Sequence, residues 1–151
     1  MLYLLLRMGT ERYALDARRI VEVVPMVDLK PMPHTPVYVA GLFDYRGTLV
    51  PVIDLCQLAS GRSSGEFFTT RIVLVEYPGA DRQTHTLGLL AEQVTETLKL
   101  NEAQFQNSGL RVADAPYLGE LIKDANGLVQ RIEIDQLLPA ELRENLFTEC
   151  A

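Results

Sequence analysis

Val39-Ala40-Gly41-Leu42-Phe43-Asp44-Tyr45-Arg46-Gly47-Thr48-Leu49-Val50-Pro51-Val52-Ile53-Asp54-Leu55 is the stretch whose reading decides the fold. Two short apolar runs, Val39–Asp44 and Thr48–Ile53, flank Tyr45-Arg46-Gly47, a tight turn whose glycine suits positive φ. The runs therefore read as two strands of a hairpin. Pro51 has no N–H to give to a ladder and marks an edge or a bulge. Asp54 is placed to cap a short helix over Leu55–Ser60, which Gly61 closes.

Outward from this hairpin the same pattern repeats. Leu2–Arg7 and Tyr13–Leu15 surround Met8-Gly9-Thr10-Glu11, a loop of hairpin length. Asp16 is placed as the N-cap of a single turn, and Ile20–Val24 follows as a strand ended by Pro25. Three prolines between Pro31 and Pro36 make that segment irregular. Gly61–Glu66 reads as a mobile polar loop. Arg71–Tyr77 and Thr84–Ala91 pair across Pro78-Gly79-Ala80-Asp81. Val94, Glu96, Leu98 and Leu100 alternate with Thr95, Thr97 and Lys99, which predicts that the two sets face opposite sides. Residues 101–116 form a long loop. Tyr117–Lys123 and Leu128–Ile134 join through Asp124-Ala125-Asn126-Gly127. Asp135 caps a turn, and a last helix after Pro139 carries Leu138, Leu142 and Leu146 on one stripe. Nine or ten short strands with helical pieces only at transitions predict an all-β chain of closed antiparallel barrels. A faint echo, Val52-Ile53-Asp54-Leu55 against Glu133-Ile134-Asp135-Gln136-Leu137, suggests two barrels of similar plan.

Composition bounds the function. The 151 residues are about one domain's worth, with 48% hydrophobic and 23% charged residues, the balance of a globular protein. A net charge of -6 makes nucleic acid and anionic membrane poor partners. Cys56 and Cys150 fit no disulfide framework or zinc site and suit a reducing cytoplasm. The apolar run Leu2–Leu6 has no basic leader and is too short to insert into a membrane. A cytoplasmic location follows as the expectation.

No catalytic constellation stands out. His34 lies among prolines and His85 in a strand, where it reads as solvent-facing, and no nucleophile elbow or phosphate loop accompanies either. Asp44 reads as a turn former and Asp54 as a helix cap, at the two ends of one hairpin. Neither metal nor cofactor is expected. A small barrel hydrolase using Asp44, Asp54 or His85, or a ligand-binding barrel with an internal cavity, remains the alternative. Glu22 stands out more, because a carboxylate between β-branched neighbours must reach solvent or find a partner. Arg46 at the hairpin tip has a guanidinium able to reach such a carboxylate bidentately. Read from the residues alone, both are surface groups or a weak ion pair.

Taken in order, Ile20-Val21-Glu22-Val23-Val24, Pro31 to Pro36, Val39-Ala40-Gly41-Leu42-Phe43 and Arg46-Gly47-x-x-Val50-Pro51-Val52-Ile53-Asp54-Leu55 resemble the CheW family of chemotaxis coupling proteins. Leu87-Gly88-Leu89-Leu90, Val94-Thr95-Glu96 and Tyr117-Leu118-Gly119 extend the likeness along nearly the whole chain. The resemblance implies one CheW-like domain over residues 1–151, made of two five-stranded barrels on a shared hydrophobic core. The second barrel would span roughly 40–100, and the first would come from the N- and C-terminal parts. It also implies a non-enzymatic adaptor between the cytoplasmic tip of methyl-accepting chemoreceptors and the regulatory domain of a CheA-type histidine kinase. By the same resemblance Glu22 and Arg46 form an ion pair beside a receptor-binding groove, Ile20 supplies an apolar groove position on Glu22's side, and Gly41 sits where a side chain would crowd the backbone. Asp44-Tyr45 departs from the family's usual Asn-Leu, and the glycine of Tyr117-Leu118-Gly119-Glu120 falls one place early.

Overall fold

A computed structural model of the chain describes residues 1–107, 109 and 115–147. The described residues form ten strands: β1 (Leu2–Met8), β2 (Glu11–Asp16), β3 (Ile20–Pro25), β4 (Val39–Tyr45), β5 (Thr48–Asp54), β6 (Arg71–Pro78), β7 (Thr84–Ala91), β8 (Gln93–Lys99), β9 (Leu118–Asp124) and β10 (Gly127–Ile132). Two short helices, α1 (Leu55–Ser60) and α2 (Ala140–Leu146), and three 3₁₀ turns complete them. The caps follow local chemistry. Asp54 accepts from the Gln57 amide, and Gly61 ends α1 at φ 73°. Asp135 is no cap: it lies inside the turn Ile134–Gln136 and takes Arg19 instead, at 2.6 Å. Cys150 falls outside the described residues.

The strands make two five-stranded sheets, ordered β8-β1-β2-β10-β9 and β3-β6-β7-β5-β4. The boundaries of the second sheet fall at Ile20 and Ala91, not near 40 and 100, because β3 joins it at one end and β8 leaves it at the other. Each sheet also holds one parallel pair, β2–β10 and β5–β7, where an all-antiparallel arrangement was expected. In the second sheet the reason is that α1 carries the chain away from β5, and the β6–β7 hairpin returns with β7 alongside it. Pro51 lies on this central strand beside a bulge, one residue before the β7 ladder begins at Val52.

Period two explains the core. In β1, Tyr3 and Leu5 face a small core within the first sheet, while Leu4, Leu6 and Met8 face a larger one shared between the sheets. In β6, Ile72 and Leu74 face the second sheet's own core, and Val73, Val75 and Tyr77 the shared one. Both strands are buried on two sides, which is why they read as unbroken apolar runs. Burying each such leucine or valine stabilises the fold by about 1.5–3 kcal/mol. Leu138 and Leu146 close the shared core from the C-terminal end.

The two sheets are built to one plan. Hairpin β1–β2 corresponds to β6–β7, β9–β10 to β4–β5, and edge strand β8 to β3. β5 and β10 occupy equivalent places, which accounts for the sequence echo at their ends. The edge strands of each sheet approach through a short following segment. Lys30 exchanges two backbone hydrogen bonds with Leu42 of β4, at 2.8 and 2.9 Å, and Gln106 does the same with Leu121 of β9, at 2.7 and 2.8 Å.

Candidate docking site

The site lies where β3 and β4, the two edges of the second sheet, come together. β4 carries an extra residue between Val39 and Gly41, and Gly41 takes φ 143° there. A Cβ at Gly41 would stand 2.6 Å from the Lys30 carbonyl oxygen and 3.0 Å from Leu29 Cβ. Only glycine lets the segment Leu29–Lys30 lie this close to β4.

β3 is bulged too. Ile20 pairs with Val75 but Glu22 pairs with Leu74, so Val21 is supernumerary. Glu22 therefore faces the second sheet's own interior, and its carboxylate meets the turn that ends β4. The Tyr45 hydroxyl donates to Glu22 Oε2 at 2.5 Å, and Arg46 Nη2 donates to Oε1 at 3.3 Å. The Arg46 guanidinium also lies over the Tyr45 ring, 5.1 Å from its centroid. Arg46 and Gly47 form the two-residue turn at φ 53° and 87°, the primed geometry that matches strand twist. Asp44 Oδ1 accepts from the Gly47 amide at 2.7 Å, the turn-forming role its sequence predicts. Arg46 remains 75% exposed and Glu22 38%. Their contact is single, not bidentate, and at this exposure contributes about 0–1 kcal/mol. The Tyr45 phenol is held above its ordinary pKa, first by donating to the Glu22 carboxylate and then by partial burial.

Glu22, Gly41 and Arg46 are thus brought together along one closing edge. Ile20 is not with them. The bulge at Val21 turns Ile20 to the opposite face, where it packs against the shared core. Tyr45 is the member of the site that sequence reasoning passed over as a turn residue. Its signal was parity: Phe43 and Tyr45 point the same way, their rings 6.4 Å apart and edge to face, both against the second sheet's core.

The other titratable candidates do not converge. Asp44 pairs in register with Leu49, so Asp54, five residues further on, lies about 16 Å away along the strand. Asp54 is buried and accepts from the Ser64 hydroxyl at 2.6 Å and the Ser64 amide at 2.9 Å. Glu92, also buried, accepts from Arg62 at 3.0 Å, Cys56 Sγ at 2.9 Å and the Gly65 amide at 3.2 Å. Burial favours the neutral acid, yet these hydrogen bonds outweigh it and hold the Glu92 carboxyl below its ordinary range. Burial and the Glu92 contact push the Cys56 thiol up to about 11, so it stays protonated as a donor. The loop 61–66, which reads as mobile in sequence, is therefore tethered to two buried carboxylates. His85 is not solvent-facing: its ring stacks on Phe147 with centroids 4.5 Å apart, and Nε2 lies 3.0 Å from both Asp81 oxygens. Among the described residues, no group of three or more His, Cys, Asp or Glu side chains is arranged to hold a metal ion.

The CheW-like domain, as a family model, matches residues 2–142 of this chain. The chain belongs to the CheW-like domain family. Its CheW-type relatives include the chemotaxis protein CheW of Rhizobium meliloti (strain 1021), 23% identical over 140 residues that cover 91% of this chain and 87% of that one. The chemotaxis protein CheW of Treponema pallidum (strain Nichols) is 20% identical over 147 residues, covering 93% and 83%. The crystal structure of the scaffolding protein TtCheW from Thermoanaerobacter tengcongensis superimposes with a TM-score of 0.82 at 24% identity, covering 96% of this chain and 92% of that one. The likeness in structure covers 96% of this chain and so takes in both sheets.

Proposed function

We propose that this chain is a non-enzymatic adaptor that couples methyl-accepting chemoreceptors to a CheA-type histidine kinase in the cytoplasm, with the edge formed by Glu22, Gly41, Tyr45 and Arg46 docking the receptor's cytoplasmic tip. The observation that carries this reading is Arg46. It sits at a turn fixed by the fold, is largely exposed, and makes one long contact with a carboxylate while lying over the Tyr45 ring. Positioning a long cation this way suits recognition of another surface more than stability. Coupling requires no reaction. An adaptor that binds receptor and kinase at once raises the effective concentration of one beside the other. Specific interfaces bury about 1,200–2,000 Å², an area that a chain exposing 8821 Å² supplies on two sides.

Arg46→Glu tests the reading. The variant is expected to keep the wild-type melting temperature within a few degrees, because Arg46 makes no buried contact. In a pull-down it should lose retention by purified receptor cytoplasmic tips. Retention at wild-type strength would count against the docking role.

A further inference from the structure

The chemistry of the closing edge goes further than the presence of an ion pair. Glu22 is the acidic side chain nearest to Arg46 in contact distance, and its two oxygens are divided. Tyr45 holds Oε2 through the shorter contact, 2.5 Å, while Arg46 has Oε1 at 3.3 Å from one of its nitrogens. Asp44, next in sequence, has Oδ1 turned back to the Gly47 amide. The remaining guanidinium donors of Arg46 belong to a side chain that is three-quarters exposed. A leucine in place of Tyr45 has no hydroxyl and would leave Glu22 to the arginine alone.

We propose that Tyr45 sets how Arg46 is presented: by donating to one Glu22 oxygen it holds that carboxylate to a single long contact with Arg46, whose other donors stay open, and the site accordingly docks a protein surface that places a carboxylate opposite Arg46. The partner's carboxylate takes the bidentate geometry that Glu22 does not. Tyr45 acts here as a positioning residue for Arg46. The inference rests on the docking reading above and adds to it the chemistry of what is docked.

The experiment measures the dissociation constant for a purified receptor cytoplasmic tip at several salt concentrations. Tyr45→Phe keeps the ring beneath Arg46 and its packing on Phe43, and removes only the hydroxyl. It is expected to weaken binding about 3–5-fold, with a shallower dependence on salt, as Glu22 draws in the arginine. Glu22→Gln in the Tyr45→Phe background removes the competing charge and should restore both affinity and salt dependence. A merely structural hydroxyl predicts no such rescue. On the partner side, exchange of surface Asp and Glu to Asn and Gln should reveal one position whose loss is not additive with Arg46→Ala. Equal affinity and salt slope for wild type and Tyr45→Phe, or additivity at every acidic position, would overturn the inference while leaving the docking reading intact. No binding of the wild-type chain to the tip would overturn the docking reading, and the inference with it.

Discussion

At the closing edge of the first sheet Arg12 is 8% exposed and donates from both terminal nitrogens to Asp124 at 2.8 Å; at the matching edge of the second, Arg46 is 75% exposed and makes one 3.3 Å contact with Glu22. The backbones around them correspond residue by residue. Glu96 pairs with Leu5 and Val94 with Leu6, leaving Thr95 supernumerary, just as Val21 is left between Ile20 and Glu22. Glu96 thus stands where Glu22 stands, and Asp124 ends β9 where Tyr45 ends β4. The difference lies in where the arginine originates. Arg12 belongs to β2 and rises from within the sheet, so its charge is consumed inside the fold. Arg46 belongs to a turn and faces out. One plan yields a structural ion pair at one end and an available cation at the other.

Breaking the first of these contacts should have the largest effect. Arg12→Ala leaves the Asp124 carboxylate with the Asn126 amide alone and removes a buried guanidinium, at an expected cost of about 3–5 kcal/mol and a fall in melting temperature of about 6–20 °C, read by calorimetry. The Arg12 contact holds the Asp124 carboxyl below its ordinary pKa. A lowered folded-state value gives stability that is present above the unfolded pKa and lost as pH falls through the folded one. The wild-type chain should therefore lose this increment in acid, and the Arg12→Ala chain should lack that part of the slope. Receptor-tip binding by the folded fraction should be unchanged, and a loss as large as that of Arg46→Glu would erase the distinction between the two edges.

Gly41→Ala is expected to cost about 2–3 kcal/mol, because the new methyl meets the Lys30 carbonyl on a backbone at φ 143°. Amide exchange at Lys30 and Leu42 should accelerate before that at β6 or β7. The first sheet tolerates bulk at its equivalent bulge: Glu120 is there, paired with Arg131 at 3.0 Å. The smallest effect has the opposite sign. Arg46→Asn installs the Asn-Gly pair that this turn geometry favours and should raise the melting temperature by about 1–2 °C, while receptor-tip binding falls as it does for Arg46→Ala. A site whose loss stabilises the chain is held for recognition.

Much of this was legible in the sequence, and the exceptions have common causes. Short apolar runs bounded by Gly, Pro and Asp placed the strands and α1, because turns and caps are chosen locally by the residues that form them. The bulges at Val21 and Thr95 were not legible. Each inserts one residue without changing composition, so Ile20 and Val94, which share parity with Glu22 and Glu96, face the shared core instead. The tether of the loop 61–66 was hidden for a different reason: Gly65 and Glu92 meet from 27 positions apart, and no local pattern encodes that contact. Glu22 and Arg46 drew notice from the residues themselves, and a family resemblance gave them a role and added Gly41. Tyr45, where this chain departs from that resemblance, needed coordinates to show its hydroxyl on Glu22.

The second sheet is drawn from one unbroken span, Ile20 to Ala91, whereas the first needs strands from both before and after it. On the ribosome, all five strands that shape the proposed docking edge have been synthesised before the third strand of the first sheet appears. The β1–β2 hairpin waits about forty residues more for β9 and β10, which at about 5–20 residues per second is a matter of seconds. Throughout that interval Tyr3, Leu5 and Ala14 lack their partners in the newborn chain, so the order of translation makes the first sheet, not the second, the part most in need of shelter.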